Sequence, residues 1–335
     1  MIEAHGIRRT YHRRTLLGRT DVKALRGVDF ELPNGGAISF IGESGCGKTT
    51  LGKILTGLES YDEGTLMIDG VDVAKTSGKK RARLFRQVQM IHQDPYSALN
   101  PTRTIRQILG DPLAMRAAEL GKPKSWIDER AAELLNLVGL DAEGVLPKYP
   151  HALSGGQRQR IVIARALTVD PEVLIADECV SMIDVSMRLG ILKLLRDLRA
   201  DLGISLMFIT HDVATARYIG DGGELHVIYR GEVIERGPTD QVITEPVHPY
   251  TQCLLSAVPV MHGLEESGSD RLVPLTTLDE RVAADGCLFA PRCPFAQANC
   301  STEHPKLMSY AGDDGHRHAC FYPEPRRVVA TELAV

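Results

Sequence analysis

The nine residues from Gly42 to Thr50 (GESGCGKTT) constrain the fold of this chain more than any other stretch. They contain the pattern G-x4-G-K-T. An apolar, strand-like segment precedes them at residues 37–41, and a helix-like segment that ends near Gly57 follows. In a strand–loop–helix unit of this kind, glycines let backbone N–H groups turn toward a phosphate at the positive end of the helix. The pattern therefore predicts a phosphate-binding loop within an α/β fold.

Side chains of this loop supply the rest of the chemistry. Lys48 brings a positive charge to the β- and γ-phosphates of a nucleotide, and the Thr49 hydroxyl is a ligand for Mg²⁺. The residues predicted to surround the phosphates are Gly42, Glu43, Ser44, Gly45, Cys46, Gly47, Lys48, Thr49 and Thr50.

Composition limits the class of protein. The 335 residues are 43% hydrophobic and 24% charged, which suits one large globular domain with an appendage, or two domains. A net charge of −4 without a long basic run argues against nucleic acid as a partner. No run approaches the ~20 apolar residues that span a bilayer, and residues 1–5 lack the layout of a secretory signal. We therefore expect a cytosolic polypeptide that reaches a membrane only through a partner.

The spacing of apolar residues changes along the chain. Residues 1–95 favour short strands on either side of the loop, whereas residues from about 96 to 165 place apolar side chains at the intervals of helices. The segments 173–176 and 204–209 are predicted buried strands joined by an amphipathic helix, which implies a parallel sheet. Residues 262–285 are predicted to form an irregular linker.

Two carboxylates follow the first of these buried strands. Asp177, at a strand end beside the phosphate loop, can hold Mg²⁺ directly or through water. Glu178 can accept a proton from the attacking water as general base. An acidic pair at a strand end is more often a solvated turn, and only the preceding phosphate loop favours the functional interpretation.

The string Leu153-Ser154-Gly155-Gly156-Gln157 predicts a second phosphate-binding surface. Ser154 can cap a helix that begins near Gln157, and the two glycines leave amide N–H groups uncovered at the positive helix end. One nucleotide needs only one phosphate loop, so we expect this surface to bind a nucleotide that a different subunit holds. A plain capped helix start is the alternative.

These motifs, in this order, resemble those of the ATP-binding-cassette (ABC) ATPases. The resemblance covers residues 1 to about 245, and it includes Gln93 in Ile-His-Gln-Asp-Pro and His211 after an apolar strand. It implies a core with a parallel sheet and helices, an antiparallel β subdomain, and a helical subdomain at about 96–160. It also implies a dimer of cassettes with two ATP molecules between them.

The resemblance assigns roles to individual residues. Those that would surround Mg²⁺ are Thr49, Gln93 and Asp177. Those that would be catalytic, through the phosphates or the attacking water, are Lys48, Glu178 and His211. Those that would reach the nucleotide of the partner cassette are Ser154, Gly155, Gly156, Gln157 and Asp184. Tyr11 would stack on adenine, with a core or surface tyrosine as the alternative.

Two departures from the family pattern stand beside the carboxylates. Cys179 replaces the usual proline, and Ser-Met-Ile-Asp at residues 181–184 replaces Ser-Ala-Leu-Asp. Neither departure removes a catalytic group, so the resemblance still implies a site that hydrolyses ATP.

Four of the seven cysteines crowd the end of the chain: Cys287, Cys293, Cys300 and Cys320. Thiolates suit zinc or an iron–sulfur cluster. Structural zinc sites favour paired C-x2–4-C knuckles, which this spacing lacks, whereas a Cys-Pro step such as Cys293-Pro294 occurs in ferredoxins. Unpaired thiols are the alternative that the spacing leaves open.

The cysteine-bearing tail resembles the C-terminal extension of the ATPases of oligopeptide, dipeptide and nickel importers. The shared strings are Glu-Pro-Val-His-Pro-Tyr-Thr at residues 245–251 and the surroundings of Cys287 and Cys293. The resemblance implies a small, irregular extension at 246–335 after a nucleotide-binding domain at 1–245. It also implies that the four cysteines hold a 4Fe-4S cluster.

The two resemblances together imply the ATPase motor of an importer at the cytoplasmic face of the membrane. The expected cargo is a di- or oligopeptide, ahead of nickel, an oligosaccharide or an opine. The expected partners are a second, different cassette, two membrane-spanning permease subunits and, indirectly, an extracytoplasmic substrate-binding protein.

Two other classes of function are disfavoured by the sequence. A cassette ATPase that acts on DNA would carry a long insertion, but only about sixty residues separate Gln93 from Leu153, and a translation-type protein would carry two cassettes. A plain P-loop enzyme such as a kinase leaves the string at residues 153–157 unexplained.

Overall fold

The computed structural model describes residues 1–15, 18–257 and 285–328. Within these ranges the strands are β1 (Ile2–Thr15), β2 (Gly18–Leu32), β3 (Ala37–Ile41), β4 (Glu63–Ile68), β5 (Val71–Asp72), β6 (Val88–Ile91), β7 (Val173–Asp177), β8 (Ser205–Thr210), β9 (Glu224–Tyr229), β10 (Glu232–Pro238), β11 (Met308–Tyr310) and β12 (Asp313–His318). The α-helices are α1 (Lys48–Leu55), α2 (Gly78–Arg86), α3 (Pro95–Ala98), α4 (Ile105–Leu120), α5 (Ser125–Leu137), α6 (Ala142–Val145), α7 (Gly155–Leu167), α8 (Val185–Leu202), α9 (Val213–Ile219), α10 (Thr239–Thr244) and α11 (Pro249–Ser256).

The larger sheet places the functional loops at one edge. Its strand order is β11-β12-β10-β9-β3-β8-β7-β6, and the run from β9 to β6 is parallel. Since β8 lies between β3 and β7, the loop after Ile41 and the carboxylates at the end of β7 emerge at the same edge of the sheet. This edge is where ligands bind in open parallel sheets.

The predicted parallel pair and its crossover helix are confirmed. Every residue of β7 and of β8 is buried. Helix α8 ends at Leu202, and the φ of 66° at Gly203 is the left-handed conformation of a glycine C-cap. Apolar runs of five or six residues form these strands because helices cover both faces of a parallel sheet, so that side chains on either face are buried.

Two further layers cover the sheet. The small antiparallel sheet, in the order β2-β1-β4-β5, packs its buried face with α1 and one face of the large sheet. Helices α4 to α7 form a second apolar core, in which Leu109, Leu134 and Ile161 are buried together with Leu174 and Phe208. The helical region predicted at about 96–165 is therefore helical, with α3 to α7 in it.

The segment after residue 245 joins the core, and the prediction of an irregular appendage is not confirmed. Strand β12 pairs antiparallel with β10, with Glu235 opposite His318, so the extension lengthens the large sheet. Tyr250, Phe289 and Val328 are buried in one apolar cluster with side chains of β9 and β10. The physical reason is that a free edge of the core sheet offers unpaired backbone groups to a following strand.

Glu235 fastens this segment to the core. The side chain is completely buried, and its carboxylate accepts hydrogen bonds from the backbone N–H of Val247 (2.8 Å) and of His248 (3.0 Å). The Nε2 atom of His316 lies 2.8 Å from the same carboxylate. A buried carboxylate is tolerated only when it has such hydrogen-bond partners. Through Glu235, residues on both sides of the undescribed segment 258–284 are hydrogen-bonded to β10.

Two predictions about the extension are not decided by these contacts. The boundary at residue 245 stays a prediction, and the predicted linker at 262–285 lies outside the described residues except for Asp285. No helix among the described residues combines the length and the hydrophobicity that crossing a bilayer requires.

Candidate active site

The phosphate loop has a shape that glycine alone permits at two positions. A Cβ atom at Gly42 would lie 2.2 Å from the carbonyl oxygen of Ile228, and one at Gly47 would lie 2.3 Å from that of Ala24. Gly47 also has a φ of 109°, in the region that favours glycine. The loop is therefore pressed between the end of β9 and β2, and its backbone follows a fixed path into α1.

Lys48 is held over this loop. Its Nζ atom donates hydrogen bonds to the carbonyl oxygens of Gly42 (2.7 Å) and Glu43 (3.0 Å), and the side chain is buried. A buried ammonium needs such partners, and phosphate oxygens are acceptors of the same kind. The loop thus fixes a cation beside its own backbone amides.

Thr49 and Asp177 meet at the end of β7. The Thr49 hydroxyl donates to Asp177 Oδ1 at 3.2 Å. Burial raises the pKa of the Asp177 carboxyl, because the charged form loses solvation there. A hydroxyl and a poorly solvated carboxylate side by side are oxygen ligands of the kind that Mg²⁺ takes, so the residues present fit that ion.

Glu178 and His211 form a close pair beside them. Glu178 Oε2 lies 2.9 Å from His211 Nδ1. Glu178 has a φ of 45°, a left-handed conformation that costs a non-glycine residue on the order of 1–3 kcal/mol. Its backbone N–H donates to the carbonyl of Ile209 at 2.8 Å, which holds it there. The fold thus maintains a strained backbone at the predicted general base.

A serine side chain links Gln93 to the backbone of Glu178. The Nε2 atom of Gln93 donates to Ser181 Oγ at 3.1 Å, and Ser181 Oγ donates to the carbonyl oxygen of Glu178 at 2.8 Å. The loop after β6 and the loop after β7 are therefore connected at the site.

One open cavity of about 740 Å³ brings many of the predicted residues together. Its size lies within the range of small-molecule sites. The predicted residues that line it are Tyr11, Ser44, Gly45, Gly47, Lys48, Thr49, Thr50, Gln93 and Glu178. Asp177 and His211 lie one hydrogen bond away, through Thr49 and Glu178. A nucleotide triphosphate fits the chemistry of this cavity.

Sequence reasoning did not find three basic residues of the cavity wall, Lys23, Arg26 and Arg230, of which the two arginines are in contact. Arg26 lies on β2, and Arg230 lies in the turn between β9 and β10. The Nε atom of Arg26 donates to the Arg230 carbonyl at 3.0 Å, although the two residues are 204 positions apart. No local motif marks either arginine, because the sheet alone brings them together.

Three residues of the predicted loop face away from the cavity. Gly42 lies against Ile228, and Cys46 is buried with its Sγ atom 3.5 Å from Lys48 Nζ. The Glu43 side chain points to Arg292. At these three positions only backbone groups are left to contact a phosphate.

The second predicted phosphate surface starts a helix, as expected, but two residues earlier. Helix α7 begins at Gly155, and Ser154 Oγ accepts from the Gln157 N–H at 3.3 Å while Gln157 Oε1 accepts from the Ser154 N–H at 3.0 Å. This capping box stabilises the helix start. None of the four residues 154–157 lines the 740 Å³ cavity, and both Ser154 and Asp184 are exposed. This surface and the cavity are separate in one copy of the chain.

Cys179, where the family pattern has proline, is a core residue. It is completely buried, and burial raises the pKa of its thiol to about 12. It is therefore a neutral thiol among apolar side chains next to Glu178.

The four C-terminal cysteines line one small cavity of about 20 Å³. None is in a disulfide. Burial raises the pKa of Cys293 to about 12 and that of Cys320 to about 11. Within the described ranges, however, no three His, Cys, Asp or Glu side chains form a group that could hold a metal ion. The expected 4Fe-4S cluster is not supported by a formed metal centre, although the thiols converge on a common space.

Comparison with known families finds two matching regions. The profile of a family described as "ABC transporter" matches residues 25–181. That of a family described as "Oligopeptide/dipeptide transporter, C-terminal region" matches residues 234–300.

Curated relatives match nearly the whole chain. The dipeptide transport ATP-binding protein DppF of Haemophilus influenzae is 40% identical over 302 residues, which are 90% of this chain and 89% of that protein. DppF of Escherichia coli is 41% identical over 292 residues, 87% of this chain and 85% of that protein. The oligopeptide transport ATP-binding protein AppF of Bacillus subtilis is 38% identical over 302 residues, with coverages of 90% and 89%.

Solved structures share the fold. The ATP-binding cassette MJ0796, solved as a dimer in a post-hydrolysis state with ADP and Pi, is 27% identical with a TM-score of 0.62, covering 71% of this chain and 99% of that one. The cbiO1 protein of Clostridium perfringens, part of the ABC transporter complex cbiONQ, is 26% identical with a TM-score of 0.61, covering 72% and 89%.

Proposed function

Since this chain belongs to the ATP-binding subunits of ABC transporters, and is an ATP hydrolase of that family, we propose that it drives uptake of di- or oligopeptides through separate membrane subunits. The observation that carries the ATPase site is the single cavity that joins Lys48, Thr49, Gln93 and Glu178. The peptide cargo is supported by the relatives, which are dipeptide and oligopeptide transport ATP-binding proteins.

In the proposed mechanism the phosphate loop binds and orients the triphosphate. Lys48 exchanges its two carbonyl acceptors for β- and γ-phosphate oxygens. Thr49, Asp177 and Gln93 would hold Mg²⁺, which supplies neutralisation of the phosphate charge when it is bound. Tyr11, on the cavity wall, stacks on the adenine ring.

Glu178 and His211 act on the transferred phosphate. The Glu178 carboxylate accepts the proton of the attacking water, and its strained backbone holds it at that position. His211, 2.9 Å from Glu178, donates to the γ-phosphate and keeps the carboxylate oriented. Both side chains are present in this chain, so the site at its own phosphate loop has the groups that hydrolysis needs.

A second cassette completes the site. Ser154, Gly155, Gly156 and Gln157, together with Asp184, lie outside the cavity of their own chain. The cassette MJ0796, which shares this fold, is a dimer. We infer that this surface closes on the ATP of a partner cassette, which differs in sequence from this chain, and that two permease subunits and an extracytoplasmic substrate-binding protein complete the importer at the cytoplasmic face of the membrane.

The four-cysteine cavity is proposed to hold a 4Fe-4S cluster. Each thiolate of such a cluster binds its own iron, so the thiols need to surround a common space and need not converge on one ion as for zinc. The proposal is supported by one observation, that Cys287, Cys293, Cys300 and Cys320 all line one cavity. Anaerobically purified protein should be brown with about four irons per chain; colourless protein with one zinc per chain contradicts the proposal.

The function is tested by purification from detergent and by transport. The chain should co-purify with two membrane proteins, and vesicles containing the complex should take up peptide only when ATP is supplied. A chain that co-purifies with no membrane protein, from cells that also express the permease subunits, would contradict the transport function and leave a soluble cassette ATPase.

A further inference from the structure

Glu43 of the phosphate loop is held at two points by residues of the C-terminal segment. Its carboxylate accepts two hydrogen bonds from Arg292, at 2.8 Å from each terminal nitrogen, so that the guanidinium and carboxylate form a bidentate, two-pronged ion pair. Its backbone N–H donates to the Tyr250 hydroxyl at 2.9 Å. We call Glu43, Tyr250 and Arg292 the loop clamp.

The two C-terminal residues of the clamp are buried. Arg292 is buried, and its hydrogen bonds to Glu43 raise its pKa above the ordinary value. Tyr250 is also buried, and burial raises the pKa of its hydroxyl, which therefore stays neutral. The ring of Tyr250 packs against Tyr229, with centroids 4.6 Å apart, and against Phe289, with centroids 5.4 Å apart. Glu43 is 34% exposed, so the pair has one buried partner and one partner open to solvent, and its two parallel hydrogen bonds fix its geometry.

The clamp meets the part of the loop that also holds Lys48. Lys48 Nζ donates to the carbonyl of Glu43 itself, on the next peptide group after the amide that Tyr250 accepts from. A shift of Glu43 therefore moves an acceptor of the phosphate-binding lysine. Preorganising such a loop lowers the ordering cost of binding a ligand.

Both outer members of the clamp adjoin the cysteine cavity in sequence. Tyr250 follows Pro249, and Arg292 precedes Cys293, and both Pro249 and Cys293 line that cavity. The clamp thus connects the lining of the cysteine cavity to the phosphate loop, through Arg292 beside Cys293 and through Tyr250 beside Pro249.

We propose that Arg292 and Tyr250 are positioning residues for ATP binding, which act through Glu43 to hold the phosphate loop in its binding conformation. This inference rests on the proposed ATP site and adds to it a part of the chain outside the cassette motifs. It gives the C-terminal segment a role in the chemistry of the cassette, since the loop is complete only when that segment is docked.

The test is a double-mutant cycle on the purified full-length chain with MgATP as the probe. Arg292→Gln and Glu43→Gln should each raise the Kd for ATP about tenfold, and the double variant should be no weaker than either single variant, because all three lack the same pair. Arg292→Lys, which keeps the charge and loses the two-pronged geometry, should fall between them and the wild type.

Arg326→Gln is the matched control. Arg326 is another arginine of the same segment, paired with Glu324 at 2.7 Å and placed over the Phe295 ring, away from the loop. It should leave the Kd for ATP unchanged within about twofold. Melting of the nucleotide-free proteins is measured in parallel, so that a general loss of stability is separated from a loss of loop positioning.

The outcomes separate the two proposals. A wild-type chain that binds MgATP, with Arg292→Gln and Glu43→Gln binding it equally well, overturns the clamp alone. Additive losses in the double variant, or equal losses for Arg326→Gln, also overturn it, since they indicate a structural role only. A wild-type chain that does not bind MgATP overturns the ATP site and the clamp together. If Arg292→Gln does not fold, Glu43→Gln and Arg292→Lys decide the matter.

Discussion

The phosphate loop and the cysteine-bearing segment meet at Glu43, yet they are built in opposite ways. The loop depends on backbone geometry: its phosphate-binding groups come from the contiguous residues 42–50, although the carbonyl oxygens that approach Gly42 and Gly47 belong to Ile228 and Ala24. The segment depends on side chains that meet across long distances in the chain, such as Glu235 with His316 and Arg292 with Glu43. A function carried by local backbone geometry can be recognised in a sequence, whereas one carried by distant side-chain pairs cannot.

The largest expected effect is a loss of ATP hydrolysis, caused by a change in the site around the phosphate loop. Glu178→Gln removes the predicted general base while keeping the size of the side chain, so steady-state ATP hydrolysis should fall by about a thousandfold. ATP binding and thermal stability should stay close to those of the wild type. Glu133→Gln, at an exposed position of α5, is the control that should hydrolyse ATP normally. Steady turnover by the Glu178→Gln variant removes this residue from the catalytic role.

The second largest expected effect is a loss of stability, caused by a change in the contacts of the C-terminal segment. Glu235→Ala leaves two buried N–H groups and His316 without their acceptor, so the free energy of unfolding should fall by about 3 kcal/mol. Urea unfolding followed by circular dichroism measures it. The exposed Glu324→Ala is the control, with an expected change of less than about 0.5 kcal/mol. Equal stability of the two variants would show that the segment is not fastened through Glu235.

A glycine substitution separates close approach from backbone conformation. Gly47→Ala introduces a Cβ atom 2.3 Å from the Ala24 carbonyl, so ATP binding should weaken by about twentyfold or more. Gly121 also has a positive φ, of 65°, but has open space around its Cβ position. Gly121→Ala should cost about 1 kcal/mol of stability and leave ATP binding intact. Loss of binding in both variants would mean that general destabilisation, and not the loop path, is responsible.

The smallest effect concerns the base of the nucleotide. Tyr11→Ala should raise the KM for ATP about fivefold, in keeping with about 1 kcal/mol for an aromatic pair, and leave kcat unchanged. Tyr11→Phe keeps the ring, although it loses the hydroxyl contact to Glu59 at 3.2 Å, and should bind ATP as the wild type does. If the KM of Tyr11→Ala equals that of the wild type, Tyr11 does not stack on adenine and is a core or surface tyrosine.

Much of the cassette fold could be predicted because its signals are local. The buried runs of β7 and β8, the glycine that ends α8 and the capping serine of α7 each act within a few residues. The amphipathic pattern that predicts α8 is less informative about which of its leucines are buried. Leu192, Leu195 and Leu198 are buried, whereas Leu189 and Leu202 are 59% and 49% exposed, because only the neighbouring elements decide where the buried face ends.

The rest could not be predicted because it depends on pairing between distant segments. The sequence does not say that β12 adds to the edge of the sheet beside β10, nor that Arg292 contacts a loop 249 residues earlier. Cysteine spacing gives four candidate ligands but not their common cavity, whose lining includes His248 and Pro249 from an earlier part of the chain.

The most direct test of the motor is a structure of the assembled, ATP-bound Glu178→Gln complex. The Ser154 hydroxyl should lie within about 3 Å of the γ-phosphate of a nucleotide that the partner cassette's phosphate loop holds. If the closest triphosphate to Ser154 is instead bound by Lys48 of its own chain, or if none lies near it, the nucleotide is not shared between two cassettes and the proposed motor is wrong.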